Sequence, residues 1–211
     1  MKAHVWLAML VASVALGASG HDFNDVNPFT FDPSNTDMVA ARWINGIGCP
    51  TGEKVTDPVS GKKVPFADAA CPTGDSSDKQ NAGLLLVKTG PTTNNASGGA
   101  ELKNVRGMTL TELGYDVRTG SHCGAGAPRF NVVTDDNVTH FVGCSSPPPA
   151  VMSKSAGWMR LRWHPAEAFP PITSPVKSIA IIFDEGQDVP GDGSGSAIID
   201  NIDVNGKLIG R

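Results

Sequence analysis

Between Glu112 and Arg118 the side chains alternate, with Leu113, Tyr115 and Val117 on one side and Glu112, Asp116 and Arg118 on the other. A period of two places successive residues on opposite faces of an extended chain, so this stretch predicts a half-buried β-strand. The run from Trp158 to Trp163 repeats the pattern, Met159, Leu161 and Trp163 opposing Trp158, Arg160 and Arg162. Ile179 to Phe183 and Ala197 to Val204 read as further strands rich in β-branched residues, and Leu84 to Val87 as a short, fully apolar one. Arg129 to Thr134 and Val138 to Cys144 flank Asp135-Asp136-Asn137, a hairpin turn. Asn205-Gly206 predicts a type I′ hairpin, since that dipeptide supplies two positive φ angles. Phe29 to Phe31 fits a short edge strand, while Met38 to Ile44 fits a strand or a helical face equally well.

Several antiparallel strands of this length must each hide one face, and two stacked sheets do so most simply. The expected fold is therefore all-β, an antiparallel β-sandwich of jelly-roll type. Composition agrees, because 24 glycines, 16 prolines and only 18% charged residues favour short strands and turns over a helical bundle.

Met1-Lys2, the apolar run Val5 to Leu16 and the small residues Gly17 to Gly20 have the layout of a secretory signal peptide over residues 1–20. A single domain over residues 21–211 follows. The apolar run is shorter than the roughly 20 residues of a bilayer span, and no later stretch is apolar enough for one, so the mature chain is expected outside the membrane and exported. A formal net charge of −4 argues against nucleic acid as a partner. In an exported chain, the even count of four cysteines implies disulfides. Three pairings are possible. Cys49–Cys71 and Cys123–Cys144 are preferred because each encloses one hairpin.

Three constellations carry candidate chemistry. The acidic, glycine-rich stretch after Phe183 holds Asp184, Asp188 and Asp192, followed by Asp200 and Asn201, an oxygen-rich set suited to structural calcium. Its spacing is not that of an EF-hand, and the plainer reading is a solvated turn. Trp158, Arg160 and Arg162 offer an indole and two planar guanidinium groups for a sugar or a carboxylated ligand, against the plainer reading of a solvated strand face. Cleavage before His21 makes its amino group and imidazole possible copper ligands with His122, His140 or His164. Hydrolase signatures are lacking. Gly193-Ser-Gly-Ser-Ala197 misses the last glycine of a nucleophile elbow, and Glu101, Glu112 and Asp116 are scattered acids of the kind usually found solvated.

The run Ala197-Ile-Ile-Asp-Asn-Ile-Asp-Val204 resembles the closing strand of extracellular jelly-roll modules, including carbohydrate-binding and galactose-binding-like domains. Leu110 to Cys144 is similar to uncharacterised secreted bacterial proteins, which implies no activity. The N-terminal histidine resembles the histidine brace of lytic polysaccharide monooxygenases. Together these imply an extracellular protein that binds a carbohydrate or cell-envelope ligand without catalysis, the alternatives being a copper-dependent oxidative enzyme and a purely structural envelope protein.

Overall fold

The computed structural model describes residues 22–92, 95–124, 127–184 and 194–211. The expected leader, His21, Asp188 and Asp192 lie outside these. Among the described residues there are fourteen strands: β1 (Asp25–Phe31), β2 (Val39–Ile44), β3 (Thr51–Thr56), β4 (Lys63–Ala67), β5 (Gly83–Lys88), β6 (Ser97–Lys103), β7 (Leu113–Arg118), β8 (Arg129–Thr134), β9 (Thr139–Gly143), β10 (Ala150–Lys154), β11 (Trp158–Trp163), β12 (Val176–Phe183), β13 (Gly195–Val204) and β14 (Lys207–Ile209). The ambiguous Met38 to Ile44 segment is thus a strand. No helix among the described residues is long and apolar enough to cross a membrane.

All strand pairs are antiparallel. One large sheet runs β1-β6-β12-β8-β9; the other runs β10-β11-β7-β13-β5-β2, with β14 added to β13, and β3 and β4 pair with each other as a separate two-stranded sheet. The chain changes sheet between β1 and β2, β5 and β6, β6 and β7, β7 and β8, β9 and β10, β11 and β12, and β12 and β13, so the expected two-layer sandwich is formed as in a jelly roll. Between the sheets lies one core, to which Tyr115, Phe130, Trp163, Ile179, Ile181 and Ile199 contribute fully buried side chains. Tyr115, Phe130 and Trp163 stack there with ring centroids 5.2 to 6.2 Å apart. The buried phenol of Tyr115 donates to the Pro128 carbonyl oxygen at 2.9 Å, which satisfies its one polar group.

Both expected disulfides, Cys49–Cys71 and Cys123–Cys144, are formed. The first encloses the β3–β4 hairpin and the second the β8–β9 hairpin. Asn205 and Gly206 turn the chain between β13 and β14 with φ of 55° and 83°. The expected hairpin is there.

One irregularity governs the outer side of the larger sheet. In β13 the pairing with β7 shifts between Asp200 and Asp203: Asp200 faces Asp116 and Asp203 faces Gly114, so three steps on β13 match two on β7. The extra residue is Asn201, at φ 45°. This bulge lets Asp200 and Asp203 point to the same, outward face, whereas a regular strand would send one of them into the core.

Candidate functional site

Two outward faces carry polar chemistry, and the larger sheet's face is covered. Segment 45–82 folds over it and brings Cys49, Ala70 and Cys71 against Trp158 in a small apolar cluster of their own. Trp158, Arg160 and Arg162 were expected on a solvated face; they are only 5%, 8% and 5% exposed. Their alternation is as read, with Leu161 and Trp163 in the main core and Met159 packed against it. What differs is the segment that lies above them. No periodicity within β11 could report a covering segment contributed about 80 residues earlier.

Beneath that cover the bulge and the register arrange charges in rows. Arg160, Asp116 and Asp200 stand on neighbouring strands of one row, and Arg162, Gly114 and Asp203 on those of the next. Arg160 donates to both carboxylate oxygens of Asp116 at 2.8 Å and, through Nη1, to Thr73 Oγ1 at 2.9 Å. Asn201 donates to Asp116 at 2.8 Å and accepts from the Asp75 backbone at 3.0 Å. Asp200 receives the Cys49 and Asn201 backbone N–H groups at 2.7 and 2.6 Å. Burial pushes its carboxyl well above the ordinary carboxylate range, and nearby Asp116 adds to the effect. Asp203 is raised by burial as well, although Arg162 opposes the shift. Arg162 Nε lies 2.8 Å from Asp203 and 3.6 Å from Glu112.

Of the candidate calcium ligands, the described ones, Asp184 on one side and Asp200 with Asn201 on the other, do not share one site. Asp184 follows β12 and is gripped through both oxygens by Arg129, at 2.6 and 2.7 Å. Asp200 and Asn201 sit on β13, in the other sheet. Asp184 and Asp200 therefore lie on opposite outer faces of the sandwich, and one ion cannot reach both. The only described cluster of potential metal-ligating side chains is Cys49, Asp68 and Cys71, whose two sulfurs are already spent on a disulfide. The histidines are scattered too. His122 packs edge-on to Phe183, His140 is buried between Thr134 and the Pro170 carbonyl, and His164 lies beside the Thr111 carbonyl. Glu101 is on the smaller sheet, away from Glu112 and Asp116 on the larger.

Among the described residues no segment covers the outer face of the smaller sheet. Its register aligns Asn27, Glu101, Ala180, Asn131 and Phe141 across five strands, and Phe169 extends the row by an isolated bridge to Phe141. With strands about 4.8 Å apart, that row is about 24 Å long. The adjacent row is Phe29, Gly99, Ile182 and Arg129. Phe29 reaches over Gly99, since a Cβ there would stand 2.6 Å from Phe29 Cζ. Arg129 is the best-fixed polar group on the face. Beyond its double bond to Asp184, its Nε donates to Asn131 at 3.0 Å and its guanidinium stands 5.9 Å from the centre of the Phe141 ring. Phe141 and Phe169 are 39% and 77% exposed. Sequence reading missed this face. The signal was present in the outward phase of β8 and β12, yet neither strand shows which of its neighbours share the row.

No protein-family model matches the chain, and no curated protein does. Among solved structures the chain is similar to the family 11 carbohydrate-binding module of the cellulosomal cellulase Lic26A-Cel5E of Clostridium thermocellum. That likeness has 11% identity and a TM-score of 0.42, covering 89% of this chain and 91% of the module. A second match is a family 11 module from Clostridium thermocellum in complex with a β-1,3-1,4-mixed-linked tetrasaccharide, at 14% identity and TM-score 0.38, covering 88% of this chain and 99% of the other.

Proposed function

We propose that this is an extracellular, non-enzymatic carbohydrate-binding protein whose glycan lies across the outer face of the five-stranded sheet. One observation carries the reading: Arg129 is held flat by Asp184 and Asn131 and stands against the Phe141 ring. Sugars combine apolar C–H faces with adjacent hydroxyls that both donate and accept. A site for them needs exposed rings together with planar polar groups whose orientation is already fixed, so that little entropy is lost on binding. Phe29, Phe141 and Phe169 supply the rings; Asn131, Arg129 and Glu101 supply the planar groups. The row length of about 24 Å suits a chain of sugars more than a single one.

Affinity electrophoresis in gels containing soluble plant and microbial polysaccharides tests this. At least one polysaccharide should retard the parent, and Asn131→Ala combined with Phe141→Ala should weaken retention about tenfold or more, equivalent to about 1.4 kcal/mol. Both residues are partly exposed, so circular dichroism should show the fold intact. Equal retention of parent and folded variant would move the site elsewhere, and no retardation of the parent by any polysaccharide would sink the function.

A further inference from the structure

On the opposite sheet a cleft of about 340 Å³ opens between the covering segment and the β13–β14 hairpin, with Glu112, Arg162 and Asp203 on its floor and Thr73, Met152 and Leu208 around them. Its size is at the lower end for small-molecule sites. The floor is built and rigid. Arg162 lies over Gly114, a position where a Cβ would stand 2.6 Å from its Nη1, and that Nη1 donates to the Leu161 carbonyl at 2.8 Å.

Two polar groups on this floor retain bonding capacity. Nη2 of Arg162 makes no hydrogen bond among the described residues, although the residue is 5% exposed. The Glu112 carboxylate has a single described partner, Arg162 Nε at 3.6 Å, and its side chain is 29% exposed. A donor and an acceptor thus stand side by side. Met152, 62% exposed on the edge strand β10, adds an apolar wall.

We infer that this cleft is a second binding site, which takes one uncharged, sugar-sized polyol through two neighbouring hydroxyls, one donating to Glu112 and the other accepting from Arg162. The alternation of charge selects that chemistry. An anion meets Glu112 and Asp203, a cation meets Arg160 and Arg162, and only a neutral group that donates and accepts from adjacent atoms satisfies both sides. Met152 and Leu208 then contact the apolar face of the ring. The inference shares its ligand class with the reading of the five-stranded sheet and none of its residues. The protein would be bivalent, with a site for an extended chain on one face and for a single sugar unit on the other.

Isothermal titration with the methyl glycosides of glucose, galactose and mannose, and with glucuronate as an anionic control, tests it. Three variants are compared with the parent: Glu112→Ala, Met152→Asp, and the Asn131→Ala/Phe141→Ala pair. The parent and the pair should bind at least one methyl glycoside equally well, while Glu112→Ala and Met152→Asp each bind it at least tenfold more weakly with unchanged melting curves. The inference fails if the parent binds no glycoside, if glucuronate binds more tightly than the neutral probes, or if binding survives Glu112→Ala and Met152→Asp in folded protein. Loss of glycoside binding in the Asn131→Ala/Phe141→Ala pair also overturns it. Polysaccharide retention without glycoside binding sinks this inference alone; the reverse sinks only the reading of the five-stranded sheet.

Discussion

The guanidinium of Arg162 lies across Gly114, the glycine directly beside it on β7, and so reaches Asp203 on the strand beyond. A Cβ on Gly114 would stand 2.5 Å from the Leu161 carbonyl oxygen and 2.6 Å from Arg162 Nη1, with buried atoms on both sides that cannot yield. Gly114→Ala should therefore cost about 1–3 kcal/mol, the range for overpacking a filled interior. Urea unfolding monitored by circular dichroism checks this. A loss below about 0.5 kcal/mol, the scatter of ordinary surface substitutions, would mean that Arg162 does not lie over the glycine.

Elements whose cause is local were legible in the sequence. Asn205-Gly206 carries its own turn preference, β7 and β11 carry their own alternation, and each disulfide closes over one hairpin. What escaped depends on partners distant in the chain. Trp158, Arg160 and Arg162 look solvated until Cys49, Ala70, Cys71 and Thr73 are laid above them. Asp184 and Asp200, 16 positions apart, look like neighbours until β12 and β13 are assigned to different sheets. The Asn201 bulge is compatible with asparagine's tolerance of positive φ, but nothing in Asp200-Asn-Ile-Asp203 announces it. The row linking Asn131 to Phe141, with Arg129 in the row beside it, exists only once the register is known.

Asp116 is fully buried and holds Arg160 through two hydrogen bonds. Removing one member of such a pair strands the other charge without water, which typically costs about 3–5 kcal/mol. Asp116→Ala should lose stability on this scale in chemical denaturation. Adding Arg160→Met to it should recover part of the loss, since the desolvated charge is then gone. If the double variant is no more stable than the single one, the penalty comes from Asn201 and the β7 backbone instead.

The raised carboxyls of Asp200 and Asp203 give stability an unusual slope. Each binds its proton more tightly folded than unfolded, where the ordinary value is 3.8, so the folded state holds more protons above that value. Stability should then rise as pH falls from neutral toward 3.8, because the folded state takes up the proton first. Asp57, lowered by hydrogen bonds from Ser60, and Asp136, lowered by the Thr134 hydroxyl, work oppositely, but only as pH falls through and below 3.8. Melting temperatures in a series of buffers should therefore pass through a maximum on the acid side of neutral, and Asp200→Asn should flatten the rise toward it. A melting temperature that falls steadily from neutral downward would show that these two groups are ionised in the folded protein at every pH tested.

The Cys49–Cys71 bond makes segment 45–82 a clasp over the larger sheet, with Trp158 as its internal reporter. Closing a loop with a separation of 22 residues is worth about 3 kcal/mol when only unfolded-chain entropy is counted. Three polar contacts also pin the segment: Cys49 N–H to Asp200, Arg160 to Thr73, and the Asp75 N–H to Asn201. Cys49→Ser with Cys71→Ser should lower stability by about 2–4 kcal/mol and shift tryptophan emission to longer wavelength well below the melting temperature, because the 5% exposed Trp158 loses its cover while core Trp163 keeps its own. Circular dichroism over the same range should stay that of the sandwich, since no strand of the five-stranded sheet touches the clasp sulfurs. Unshifted emission in the folded variant would show that the polar pins alone hold the segment down, leaving the disulfide to act on the unfolded chain only.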